Sequence, residues 1–222
     1  MTDEPLVPGP LYGLRTWTVV SEDGRERLAG LHHGGVWPPG DGWVDAHCAV
    51  ATHRPPAREC ECGIHAWHPT PKSARRVLAS HHELAGVIEA RGAVEVHEEG
   101  FRAECARPHA LVANRGRNVK LVRRLGEIYG TAVIEAHSPR ELLAWCRERE
   151  LGLDEHVVAE LLGPAAVEES RRAKRTRRRN NLLRVAAALV IVAVMAVLGS
   201  YLFVDPPGPR TLYGRTGEVH VH

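Results

Sequence analysis

The sequence lacks the patterns that mark several large classes of protein. It contains no collagen-like glycine repeat and no sustained heptad, which excludes fibrous architectures. The nucleotide-binding motifs Gly-x-x-x-x-Gly-Lys and Gly-x-Gly-x-x-Gly and the hydrolase motif Gly-x-Ser-x-Gly do not occur either, and no pair of carboxylates stands out. A hydrophobic content of 44% with 25% charged residues excludes a chain that is disordered throughout. The remaining class is a globular domain with additional segments.

Lysine is scarce, since only 3 of the 29 basic residues are lysines, and the charge is unevenly distributed. Residues 1–170 contain 19 basic and 25 acidic side chains, whereas residues 171–222 contain 10 basic and 2 acidic ones. The net charge of +2 therefore averages an acidic N-terminal part and a basic C-terminal part.

An uncharged run of 20 residues, Val185–Val204, is the most informative segment. A helix of about 20 residues, rising about 1.5 Å per residue, spans the hydrocarbon core of a bilayer. The run predicts a transmembrane helix over residues 182–204.

The flanks of this run predict its orientation. Basic side chains cluster before it and are sparse after it, and such clusters remain in the cytoplasm. The cluster consists of Arg171, Arg172, Lys174, Arg175, Arg177, Arg178, Arg179 and Arg184. We expect a single-pass plasma-membrane protein whose N-terminal domain is cytoplasmic and whose basic flank contacts anionic lipid. A nucleic-acid partner is not expected, because residues 1–170 show no basic surface with interleaved aromatics.

The remaining chain divides by composition into further segments. Residues 1–10 are rich in proline and predict a disordered leader. Residues 11–165 predict one cytosolic α+β domain, sheet-rich over 13–112 and helical over 117–163. Residues 166–181 form a basic juxtamembrane linker, and residues 205–222 a short extracytoplasmic tail.

The sheet-rich region predicts a small antiparallel sheet or a partly open barrel. A hairpin is expected from alternating residues at 14–19 and 27–31 around the turn Ser21–Gly24. An extended segment is expected over 43–50. Three short strands are expected at 84–90, 93–97 and 101–106, separated by Arg91-Gly92 and by Glu98-Glu99-Gly100.

Helices are predicted from periodicity and end signals. One runs from Lys72 to Ser80, and another from Asn118 to Tyr129, followed by a brief strand over 131–135. Ser138-Pro139 and Glu141 indicate the start of a third helix that ends near residue 151. A fourth, beginning at Asp154, ends at Gly163-Pro164.

Four potential metal ligands lie in one stretch of fifteen residues inside the sheet-rich region: Cys48, His53, Cys60 and Cys62. Thiolate and imidazole are the donors that tetrahedral zinc prefers. Three interpretations remain open: structural zinc, buried or merely reduced thiols, and a redox or nucleophilic role. A complete disulfide framework is excluded by the odd total of five cysteines and the expected reducing cytosol.

The other cysteines and the histidines carry weaker signals. Cys105 is expected to face the sheet core and Cys146 to pack in a helix interface. The pairs His32-His33 and His81-His82 are expected at the surface, since neighbouring strand residues point to opposite faces. As alternatives to His53, the same region offers His47, His65 and His68.

One group of motifs resembles a family of uncharacterised proteins from high-GC bacteria. The resemblance covers roughly residues 13–135. It is carried by Trp37-Pro38-Pro39-Gly40, Cys48, His53, Cys60-Glu61-Cys62-Gly63-Ile64-His65-Ala66 and Gly100-Phe101-Arg102-Ala103-Glu104. It implies that the Cys-x-Cys-Gly element is a defining feature and implies no activity.

These observations predict a membrane-anchored cytosolic domain that binds or scaffolds an unidentified protein partner, with structural zinc as a candidate stabilising element. The alternative is a membrane-tethered enzyme that depends on zinc or on a thiol. No catalytic residue is named by the sequence.

Overall fold

The computed structural model of this chain describes residues 10–31, 35–80, 83–114 and 119–202. Over these residues the fold is mixed α and β, with seven strands in one sheet. The strands are β1 Leu11–Glu22, β2 Arg25–Ala29, β3 Val44–Asp45, β4 Ile64–Trp67, β5 Leu84–Val96, β6 Gly100–Ala113 and β7 Ala132–Glu135. The helices are α1 Pro71–Ala79, α2 Val119–Ile128, α3 Pro139–Glu148 and α4 Glu155–Leu202. The chain divides into two compact units, Met1–Ser170 and Arg171–His222.

The first two strands form the hairpin that the sequence predicts. They pair antiparallel from Thr18 opposite Ala29 to Glu22 opposite Arg25. Asp23 and Gly24 form the turn with φ angles of 51° and 71°. Two consecutive left-handed residues give the turn that matches the twist of a hairpin. The first strand is longer than expected, because it continues into pairing with β5.

Four strands form a closed circuit of pairings within the sheet. β1 pairs with β5 over seven residues, and β5 pairs with β6. β4 pairs with β6 and, through Trp67 opposite Leu14, with β1. β2 and β7 extend the sheet beyond this circuit.

The prediction of three short strands between residues 84 and 106 is wrong. The first two are one strand, β5, and the third continues as β6 to Ala113. Arg91-Gly92 is a bulge, where the register shifts between Arg91 and Val94. Gly92 has a φ of 80°, so the chain bends here without ending the strand.

Two other parts of the sheet differ from expectation. The extended segment over 43–50 contains only the two-residue strand β3, and the rest is a loop. The short strand β4 is not predicted from the sequence. β7 occupies the expected position in sequence, but it pairs parallel to β6, with Leu111 opposite Val133.

Two helices, α1 and α3, begin within one residue of the predicted positions. Thr70 caps α1 by accepting a hydrogen bond from the Ser73 backbone N–H, and Pro71 follows it. Ser138 caps α3 in the same way through Glu141, with Pro139 in the first turn. These caps satisfy backbone donors that have no partner within the helix.

The core lies on both faces of the sheet. On one face, α2 contributes Val122 and Leu125 to a cluster with Trp17, Trp37 and Phe101. On the other face, α1 and α3 pack against the sheet. That cluster includes Ala74, Val77, Leu142, Leu143 and Cys146 with Leu14, Val87 and Val112.

The last helix, Glu155–Leu202, is interrupted at Gly163, where φ is 72° and ψ is 161°. This is the predicted stop, and Pro164 follows it directly. None of the helices within the described ranges has both the length and the apolar character that a membrane crossing requires. Residues 203 and 204 of the predicted span, the tail 205–222, His32-His33 and His81-His82 lie outside the described residues, as does the leader except for Pro10.

Candidate metal centre

The four predicted ligands lie in one loop, residues 46–63, whose two ends are held by the same strand. Strand β3 precedes the loop, and its Asp45 lies opposite Cys105 of β6. Strand β4 follows the loop, and its Ile64 lies opposite Ala103 of β6. The loop is therefore anchored at two points two residues apart on β6. Such an anchor closes the loop on itself and brings its sequence-distant side chains together.

The loop brings all four ligand groups to one place. The Sγ atoms of Cys48, Cys60 and Cys62 and a ring nitrogen of His53 lie within 4.8 Å of one another. All four residues are half-buried. Their donor set of three sulfurs and one imidazole nitrogen is typical of a structural zinc site.

One of the contacts is close to the spacing that a tetrahedral ion imposes. The Sγ atoms of Cys48 and Cys60 are 3.7 Å apart. A tetrahedral zinc with bonds of about 2.3 Å to sulfur separates two sulfurs by about 3.8 Å. The Nε2 atom of His53 lies 3.1 Å from the Sγ atom of Cys62. None of the chain's five cysteines is in a disulfide.

The loop backbone and burial act in opposite directions on two of the thiols. Hydrogen bonds from the backbone N–H groups of Val50 and Ala51 lower the pKa of Cys48, and the Ala51 nitrogen lies 3.4 Å from its Sγ atom. Burial, reinforced by the neighbouring cysteines, raises the pKa of Cys62. A cation would stabilise the thiolate of Cys62 that burial disfavours.

The alternative histidines make other contacts and are not part of the cluster. His47 Nδ1 bonds to the carbonyl oxygen of Asp45, and His65 Nε2 to that of Glu61, at 3.0 and 2.8 Å. His68 is buried and its Nε2 bonds to the carbonyl oxygen of His97 at 2.9 Å. Burial lowers the pKa of His65 and His68.

A buried arginine, Arg102 of β6, connects the loop to the sheet by hydrogen bonds. Its side chain is 7% exposed. Its Nη1 donates to the carbonyl oxygens of Cys60 and Cys62, the latter at 3.2 Å, and its Nη2 to that of Ala57 at 3.4 Å. The same guanidinium also donates to the Glu95 carboxylate through Nη2 and to His97 Nε2 through Nε. All five N–H donors of Arg102 are thereby used.

A second pair ties the outer part of the loop to the sheet. Arg54, next to His53, donates to Glu104 Oε1 at 2.5 Å, and the Ala93 backbone N–H donates to Glu104 Oε2 at 3.0 Å. The Ala93 hydrogen bond, followed by Arg54, lowers the pKa of Glu104. Arg54 is 78% exposed, so this pair contributes less than the buried contacts of Arg102.

Gly63 gives the chain its exit from the site. Its φ of 123° is unfavourable for any residue with a Cβ atom. A Cβ here would lie 3.1 Å from Cβ of Arg102. The glycine of the Cys-x-Cys-Gly element therefore lets Cys62 approach the sheet closely.

The other two cysteines lie elsewhere. Cys105 is half-buried and donates to Asp45 Oδ1 at 2.8 Å, instead of lying in the sheet core as expected. Cys146 is buried in the core beneath α3, as its helical position predicts. Burial raises the pKa of both thiols to about 11, which keeps them protonated and weakly nucleophilic.

The sequence does not reveal the supporting role of Arg102 or of Glu104. Both belong to the strand predicted over residues 101–106, but that pattern identifies no partner for either charged side chain. Phe101, Arg102 and Ala103 are all buried, so both faces of β6 are covered at this point. This burial becomes apparent only when the pairing of β6 with β4 and β5 is known.

Comparisons of this chain with protein-family models, with curated proteins and with solved structures gave no match.

Proposed function

We propose that Cys48, His53, Cys60 and Cys62 bind one zinc ion as a structural centre of a protein-binding or scaffold domain. The convergence of three sulfurs and one imidazole nitrogen within 4.8 Å carries this proposal. Four protein ligands fill a tetrahedral zinc site and leave no position for a catalytic water. The zinc fixes loop 46–63 against the sheet and holds its outer surface in one conformation.

The position of the loop favours a local role for the metal. Two apolar clusters pack on the two faces of the sheet, and none of the four ligands belongs to either of them. Loss of zinc is therefore expected to release the loop and to leave the sheet and its helices folded. We therefore expect zinc loss to weaken partner binding at the surface of loop 46–63 and not at the rest of the domain.

Cys60→Ser and Cys62→Ser are each expected to abolish stoichiometric zinc binding by the full-length chain. Serine keeps the side chain's size but replaces a thiolate by a hydroxyl, which is a poor zinc ligand. Metal content is measured by elemental mass spectrometry on protein purified without chelator. One zinc per chain is expected in the parent, and hydrogen exchange is expected to increase over residues 46–63 in the variants.

Cys105→Ser is the matched control, because Cys105 is also half-buried and lies outside the cluster. It is expected to retain full zinc content. A parent chain without zinc would contradict the proposal, and so would equal zinc in the parent and in Cys60→Ser.

A thiol-dependent enzyme is the second candidate, favoured by the 3.1 Å contact between His53 Nε2 and Cys62 Sγ. A nucleophilic cysteine requires a nearby base and a lowered pKa. Burial raises the pKa of Cys62, which is opposite to that requirement. Alkylation of Cys62 in the zinc-free chain by iodoacetamide, faster than that of Cys60, would support this alternative.

We further propose that the C-terminal segment attaches the domain to the cytoplasmic face of the plasma membrane. The support is the uncharged run Val185–Val204, which ends beyond the described residues, and the arginine cluster before it. Several apolar side chains of this run are exposed: Leu189, Val190, Ile191, Val192 and Met195 are 62–65% accessible. Such a surface is unfavourable in water.

The double variant Ile191→Arg, Met195→Arg is expected to move the full-length chain from the membrane pellet to the supernatant. Each arginine near the centre of a span costs about 2.5–3.5 kcal/mol on an insertion scale. The measurement is extraction of membranes with alkaline carbonate, followed by immunodetection. Ala79→Arg, at the exposed end of α1, is the control and is expected to stay in the pellet. Recovery of the parent chain in the supernatant would overturn the proposed attachment.

A further inference from the structure

A basic cavity lies between α1 and α3, on the side of the sheet that those helices cover. Its volume is about 430 Å³, within the range of small-molecule sites. Its lining consists of Pro71, Arg75, Pro139, Arg140, Leu143 and Arg147. None of these residues belongs to the candidate metal centre.

Helical spacing explains why these side chains share the cavity. On α3, Arg140, Leu143 and Arg147 stand at positions i, i+3 and i+7, and on α1 Pro71 and Arg75 stand at i and i+4. Residues at these intervals lie on one face of a helix. Leu143 is buried, whereas the three arginines are exposed. The cavity therefore combines an apolar floor with three guanidinium groups at its rim.

The three guanidinium groups have no carboxylate partner among the residues that the structure describes. The two acidic residues of α3 make other contacts: Glu141 accepts from Ser138 Oγ and from the His137 backbone N–H, and Glu148 pairs with Arg149. Three like charges around one cavity repel one another. An anion bound among them would remove that repulsion.

The helix termini supply few binding groups. Pro71 and Pro139 have no N–H, and the side chains of Thr70 and Ser138 already accept from the backbone N–H groups of Ser73 and Glu141. Recognition therefore depends on the arginine side chains. A guanidinium donates two parallel hydrogen bonds to an oxyanion, and three of them match the several oxygens of a phosphate better than the two of a carboxylate.

We propose that this cavity binds a phosphate group, with the prolines and Leu143 contacting the organic part of a phosphoester. The phosphate can belong to a small soluble phosphoester or to the headgroup of an anionic phospholipid. The proposal does not depend on the metal centre.

The test is isothermal titration calorimetry on the full-length chain in a nonionic detergent. Glycerol 3-phosphate is the soluble probe, and mixed micelles containing phosphatidylglycerol are the lipid probe. The double variant Arg140→Gln, Arg147→Gln is expected to weaken binding of the recognised probe by about tenfold or more, since it removes two guanidinium groups and their charge-assisted hydrogen bonds. Residues 171–184 are unchanged in the variant, so their attraction to lipid cancels in the comparison.

Arg25→Gln is the matched control, because Arg25 is also exposed and lies on β2, away from the cavity. It is expected to bind both probes as the parent does. Weakened binding of glycerol 3-phosphate in the double variant would identify a soluble phosphoester, and weakening confined to the lipid micelles would identify a headgroup. Equal affinities of the parent and the double variant for both probes, or no binding of either by the parent, would overturn the proposal.

Discussion

Arg102→Met is expected to lower the free energy of unfolding by about 3–5 kcal/mol, the range for breaking one side of a buried ion pair. Methionine keeps most of the length of the side chain but removes every donor. The carbonyl oxygens of Ala57, Cys60 and Cys62 then lose their hydrogen bonds, and the Glu95 carboxylate loses its guanidinium. The measurement is urea unfolding of the full-length chain followed by tryptophan fluorescence.

Two further variants separate the buried geometry from charge alone. Arg102→Lys keeps the positive charge but loses the planar fork, so an intermediate loss is expected. Arg54→Met removes another arginine from the same loop, but Arg54 is 78% exposed and its loss is expected to cost about 1 kcal/mol or less. Equal losses in Arg102→Met and Arg54→Met would contradict the role assigned to Arg102.

The same comparison shows how far the sequence predicts the site. The four ligands are recognisable because cysteine and histidine are specific donors and their spacing is short, and the structure brings all four together. The supporting role of Arg102 cannot be recognised from the sequence. Arg102 is one of 26 arginines, and its position opposite His65 on β4 and Glu95 on β5 sets its contacts. Its role depends on strand pairing, which the local pattern does not encode.

Local signals likewise predict the helix starts better than the strands. Thr70-Pro71 and Ser138-Pro139 set the helix starts within one or two residues, because capping involves neighbours in sequence. At Arg91-Gly92 the local pattern predicts a break between two strands, although these residues form a bulge within β5. A turn and a bulge both use a left-handed glycine, and only the long partner strand β6 selects the bulge. The parallel pairing of β7 is also a long-range property.

Gly100→Ala is expected to cost about 3 kcal/mol or more, because the clash is with backbone and no rotamer change relieves it. Gly100 begins β6 and lies opposite Trp67 of β4. A Cβ atom at this position would lie 2.0 Å from the carbonyl oxygen of Ala66 and 2.8 Å from Cα of Trp67. In the alanine variant β4 and β6 must therefore move apart at the end of their pairing.

This separation also affects the candidate metal centre, because β4 is the strand on which loop 46–63 returns to the sheet. We expect Gly100→Ala to lower both the urea midpoint and the affinity for zinc, measured by competition with a chromophoric chelator. Gly42→Ala is the matched control, since a Cβ at Gly42 meets nothing within 4 Å and its φ is not in the left-handed region. If the two alanine variants unfolded at the same urea concentration, the close packing of β4 on β6 would not be the constraint that makes glycine necessary at position 100. If only stability fell and zinc affinity stayed at the parent value, the loop would hold its ligands without the β4 anchor, and Arg102 alone would have to account for its position.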